Sequence, residues 1–98
     1  MRLEERPNGN LLIRRIMVEE LALLSLCLPL TPDCKRVMDA LLAGRRVAIT
    51  ADAPEHKQYR RTAPRAVYQK FVAMERELHA LGVVRATAAD MGGEAPCW

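Results

Sequence analysis

The chain has 98 residues and a mass of 11.0 kDa, which is room for one small domain burying roughly two thirds of its extended surface. Half of the residues are hydrophobic and 28% are charged, too apolar a mixture for an intrinsically disordered chain. Fifteen Lys and Arg against twelve Asp and Glu leave a formal charge of +3, which permits an acidic partner, requires none and names no activity.

The three cysteines, Cys27, Cys34 and Cys97, are an odd number without close metal-ligand spacing, which argues against a disulfide scaffold or a zinc knuckle. The apolar run LALLSLCLPL at residues 21–30 contains Pro29 and is half the length of about 20 residues that a spanning helix needs. It follows Glu19 and Glu20 in place of a basic leader, and no small-residue cleavage pattern follows, so a signal peptide is not expected. These features predict a cytoplasmic chain without a membrane anchor.

In chain order, residues 1–10 (MRLEERPNGN) read as a flexible, solvated N-terminal arm ending in a Pro-Asn-Gly turn. Residues 11–18 (LLIRRIMV) read as a short strand or the first turns of a helix; the preceding turn and the β-branched residues favour the strand, and the following EELALLSLC favours helix. Thr31 and Pro32 are a helix start, Cys34, Val37, Met38, Leu41 and Leu42 recur at helical spacing, and Gly44 supplies a left-handed C-cap. Val47, Ala48 and Ile49 form a brief buried strand. Residues 51–63 are a polar surface connection with at most one helical turn.

Thr62 is then expected to cap a long helix with Pro64 in its first turn, running to about Leu81 and Gly82. Val67, Phe71, Met74, Leu78 and Leu81 form a single apolar stripe along it, predicted to be buried throughout. Val83 and Val84 offer another strand, and residues 85–98 read as a flexible tail. The expected fold is a small single α/β or α+β domain over residues 11–84, with short strands, a central short helix and a long amphipathic C-terminal helix. So few short strands make a poor independent sheet, which predicts assembly with another chain or with a second copy.

The most informative local feature is APEHKQYRRTAPRAVY, which gathers Lys57, Arg60, Arg61 and Arg65, with Tyr59, around the start of the long helix. Arg and Lys side chains at a helix start suit carboxylate or phosphate, so these five residues are the candidate contact for an acidic protein or peptide surface. The plainer reading is a solvated basic face. His56 and His79 are far apart in sequence, lie in no HExxH motif and are expected to have packing or surface roles. Cys34 sits in a helix's first turn but on its apolar stripe, which favours a buried thiol over a reactive one. No phosphate-loop, dinucleotide or nucleophile-elbow motif occurs, and the arginine pairs lack interleaved aromatics, so neither enzyme chemistry nor nucleic-acid binding leads.

The segments LPLTPDCKRVMDALLAGRRVAIT and QYRRTAPRAVYQKFVAMERELHALGVV resemble part of the accessory proteins of bacterial microcompartments for propanediol or ethanolamine utilisation. The resemblance covers residues 28–84 and is carried mainly by Leu41, Leu42, Gly44, Tyr59, Arg60, Thr62, Ala63, Pro64 and Tyr68. It implies a cytoplasmic, non-enzymatic accessory or assembly protein without a cofactor, touching shell proteins or encapsulated enzymes. The alternatives are a small flavin- or phosphate-binding module and a nucleic-acid-binding protein.

Overall fold

A computed structural model describes residues 1–91 of the chain. The elements are β1 (Arg2–Glu5), β2 (Leu11–Arg15), α1 (Val18–Ser25), α2 (Pro32–Leu42), β3 (Val47–Ile49), a 3₁₀ turn at Glu55–Tyr59, α3 (Arg65–Ala80) and β4 (Val84–Arg85). The strands form an open mixed sheet in the order β1-β2-β3-β4, with β1 antiparallel to β2 and the other three parallel. Parallel neighbours need a crossover, and here α1 with α2 joins β2 to β3, while the 3₁₀ turn with α3 joins β3 to β4. Helix α1 packs against both α2 and α3, so the three helices form one layer over one face of the sheet. The chain is therefore a small single α+β domain. Among the described residues no helix is long and apolar enough to cross a membrane.

Register explains which strand residues form the core. Leu11 lies beside Val47 and Ile13 beside Ile49, and these four point with Ile16 into the helix layer. They meet Leu21 and Leu24 of α1, Cys34, Val37, Met38 and Ala40 of α2, and Leu78 of α3. Burial raises the pKa of the Cys34 thiol, against a hydrogen bond with Thr31 that lowers it, which keeps the thiol protonated and packed. The intervening residues Glu4, Leu12, Ala48 and Val84 form a row on the opposite face. Among the described residues no helix covers that face, yet Leu12 and Ala48 are buried.

The chain leaving β4 runs over this second face. Both carboxylate oxygens of Asp90 accept from the Arg46 guanidinium at 2.8 Å, and the Asp90 carbonyl accepts from Arg6 Nε and Nη2 at 3.1 and 2.7 Å. Thr87 donates its amide and its hydroxyl to Asp90 Oδ2 at 2.8 and 3.0 Å, which fixes the turn that presents the carboxylate. Residues 87–91 are thus a strap. The Arg46 fork, then Thr87, holds the Asp90 carboxyl well below the usual carboxylate range.

All three helices stop in the same way. Arg45 N–H bonds the Ala40 carbonyl and Gly44 N–H bonds Leu41, a Schellman pair made possible by Gly44 at φ +75°. Gly82 and Val83 repeat it on His79 and Leu78, and Cys27 and Leu28 repeat it on Leu24 and Leu23. At the third site the left-handed residue is Cys27, at φ +56°. At the other end of α2 the Thr31 hydroxyl accepts from Cys34 N–H at 3.1 Å, as a Thr-Pro helix start predicts.

Several expectations need correction. Residues 2–5 are no free arm: their extended backbone adds a strand to the edge of β2, so the domain starts at Arg2. The domain also reaches past residue 84, because β4 and the strap carry it to Met91. The remainder of the expected tail, including Cys97 and Trp98, lies outside the described residues. Thr62 does not cap α3; Pro64 takes the N-cap position in extended conformation and the helix begins at Arg65. The α3 stripe is also not buried throughout. Only Leu78 is fully covered, Phe71 and Met74 are half-buried, and Val67 is 47% exposed.

Candidate functional site

The uncovered half of α3 is where the chain concentrates its chemistry. The 3₁₀ turn is held against α1 because Glu55 Oε1 accepts from Val18 N–H at 3.0 Å, using a free amide of that helix's first turn. This contact sets Tyr59 opposite Val67 of α3. Between them lies a groove of about 270 Å³, lined by Val18, Tyr59, Ala63, Val67 and Phe71 with the rings of His56 and Tyr68. Its walls are almost entirely apolar, and Tyr59 at its mouth is 44% exposed.

His56 forms the back wall. It is only 2% exposed, stacked on Phe71 with ring centroids 5.9 Å apart and tilted against Tyr68 at 5.6 Å. Burial pushes its pKa down, against the opposing pull of the Glu75 carboxylate, so the ring is neutral at pH 7. Neither ring nitrogen has a hydrogen-bond partner among the described residues. Nε2 stands 3.5 Å from Glu75 Oε1, too far for a well-formed hydrogen bond.

The structure divides the five candidate contact residues. Lys57 stays exposed but folds back on its own loop, donating to the Ala51 carbonyl at 2.6 Å and standing 3.5 Å from Glu75 Oε2. Tyr59 belongs to the apolar groove. Arg60, Arg61 and Arg65 remain exposed, flanking the groove in sequence on both sides of Ala63, with no ion-pair partner among the described residues. The five residues therefore form no common pocket: Tyr59 lines the groove, Lys57 is engaged by its own loop, and the three arginines are exposed.

Sequence reasoning missed Val18, Ala63 and Glu75, and it read His56 as a packing or surface residue, which its burial against Phe71 and Tyr68 agrees with. Val18 comes from a distant element, and nothing in its neighbourhood marks it. Glu75 carried a usable signal: Tyr68, Val72, Glu75, Arg76 and His79 recur at helical spacing on a second face of α3, beside the apolar stripe. Among the described residues no group of three or more His, Cys, Asp and Glu is placed to hold a metal ion.

Comparison with protein-family models, curated proteins and solved structures finds no match to this chain.

Proposed function

We propose that the domain is a non-enzymatic protein-binding module whose apolar groove receives an amphipathic, acidic segment of a partner. The observation that carries this reading is the apolar groove between the 3₁₀ turn and α3, with exposed Arg60, Arg61 and Arg65 adjacent in sequence to its lining residues Tyr59, Ala63 and Val67. A solvated basic face has no need of an apolar trough beside it, whereas a bound segment uses apolar anchors for affinity and rim charges for orientation. The N-terminal half of α3 has little covering among the described residues, so a partner would bury surface that they leave open. The resemblance of residues 28–84 supports the same reading and makes microcompartment shell proteins or encapsulated enzymes the partners to try first.

The test is affinity for the partner recovered with the untagged protein and then purified. Reversing Arg60 and Arg61 to Glu is expected to weaken that complex about tenfold or more with an unchanged melting temperature, and added salt should weaken the wild-type complex. Val67→Asp is expected to weaken it by closing the groove to apolar anchors. Unchanged affinity in both folded variants would refute the proposal. So would concentration-dependent self-association in light scattering that both variants abolish, since a second copy would then be the occupant.

A further inference from the structure

A second cavity lies on the opposite side of the His56 ring from the apolar groove, and its chemistry is different. It is a cleft of about 290 Å³ bounded by His56, Lys57, Glu75, Arg76, His79 and Arg85. An inner chamber of about 80 Å³ continues from it, past Lys57, Glu75, His79 and Arg85, to Thr50 and Ala51. Thr50 directly follows β3 and Arg85 ends β4, so the cavity opens at the carboxyl ends of two parallel strands. Side chains and connections converge there in open sheets with parallel strands, and ligands bind there.

Three permanent cations, Lys57, Arg76 and Arg85, face this cleft against the single carboxylate of Glu75. Glu75 is already engaged by Lys57, and Arg76 and Arg85 have no ion-pair partner among the described residues. Two groups on the walls can accept hydrogen bonds. Nδ1 of His79 lies 2.7 Å from the Val83 carbonyl, an acceptor only, so Nδ1 carries the proton and Nε2 is left free. Glu75 is the second. His56 backs the cleft, its two ring nitrogens enclosed by surrounding side chains and without a hydrogen-bond partner among the described residues.

We infer that this cleft binds a small phosphate monoester bearing hydroxyl groups. The arginines and Lys57 supply charge-assisted donors to the phosphate oxygens. A simple carboxylate would satisfy those cations but would bring no proton for His79 Nε2 or Glu75. A phosphate monoester close to its second ionisation, with hydroxyls on its organic part, offers both acceptors and donors. The volume lies at the lower end of ligand pockets, which suits a molecule of a few carbons better than a nucleotide. The site is independent of the groove proposed above, with which it shares only the walls formed by His56 and Tyr68.

Two-dimensional NMR titration of the full chain with inorganic phosphate, glycerol phosphate and glycerol, each against sodium chloride at matched ionic strength, tests the inference. Both phosphates are expected to give saturable shifts at the amides of Ala51, Lys57 and Arg85 and at the imidazole resonances of His56 and His79. Glycerol phosphate should bind more tightly than inorganic phosphate, and glycerol or chloride should give no saturable shift. Arg85→Gln, on an exposed strand end, should weaken glycerol phosphate about tenfold while leaving the spectrum folded, and Arg76→Gln should act in the same direction. The inference is overturned if neither phosphate saturates, if chloride reproduces the shifts, or if the folded double variant binds as the parent does.

Discussion

Cys27 holds a backbone conformation that costs an L-residue about 1 to 2 kcal/mol, at a position where the other two long helices place Gly44 and Gly82. Its side chain is exposed and packs nothing in return. Cys27→Gly is therefore expected to raise stability by about 0.5 to 1 kcal/mol after the extra freedom of glycine in the unfolded chain is deducted. Denaturant unfolding checks this through a higher midpoint at unchanged slope. A lower midpoint would mean that the thiol makes a contact worth more than the strain. The same comparison shows how far a residue can be read in advance: Gly44 announces a helix end because only a residue without Cβ enters that region freely, while Cys27 performs the same role with no such mark. Thr31 was legible for the same reason as Gly44, because a hydroxyl before proline satisfies free amides at a helix start.

At the scale of elements, α3 shows what a periodic pattern does and does not contain. The spacing of Val67, Phe71, Met74, Leu78 and Leu81 established a helix, and the helix is present over Arg65–Ala80. Spacing alone does not say how much of the stripe the rest of the chain reaches. Coverage depends on where α1 and the sheet end, which is set by distant residues. The consequence is a graded series of truncations. Leu78→Ala should cost about 2 to 5 kcal/mol because the side chain is wholly enclosed. Phe71→Ala should fall below the roughly 3 to 5 kcal/mol of a fully packed ring, and Val67→Ala should stay within about 0.5 kcal/mol. Equal losses at all three positions in thermal or denaturant unfolding would show that the stripe is enclosed in solution. The 3₁₀ turn was harder to read than the helix, since its polar sequence gives no period and its one deeply buried residue is a histidine.

For the molecule as a whole, the parts that the sequence reads as a flexible arm and a flexible tail include those that complete the sheet, β1 at its edge and the strap over its second face. The RLEE segment of β1 has a charged residue at three of its four positions and looks solvated in isolation; it becomes a strand because β2 offers a free edge and because Glu4 and Glu5 find Arg14 and Arg36. The residues after β4 likewise look loose until Asp90 meets Arg46 and Arg6. The strap depends on partners far away in the chain, and β1 on an edge that exists only once β2 is extended. The single-domain α+β class was legible because it needs only the order of helical and extended segments, whereas the two edges need the sheet already assembled. The strap also ties stability to acidity. A carboxyl held below its ordinary range contributes fully above the unfolded pKa of about 3.9, and the contribution is lost as pH falls through the lower folded value.

The Arg6 to Asp90 contact joins positions 84 residues apart, and this separation governs the order of events in time. Bringing those residues together requires closing nearly the entire chain, whereas the helices and the β1–β2 hairpin close over short distances. The strap is thus expected to dock after the rate-limiting barrier to folding has been crossed. Asp90→Asn should accelerate unfolding in stopped-flow measurements at pH 7 while leaving the refolding limb almost unchanged, and the variant should lose less stability than the parent on acidification. A proportional slowing of refolding would place the strap in the transition state instead. On the expected ordering, the residence time of the native state is set by a clasp that takes no part in finding the fold.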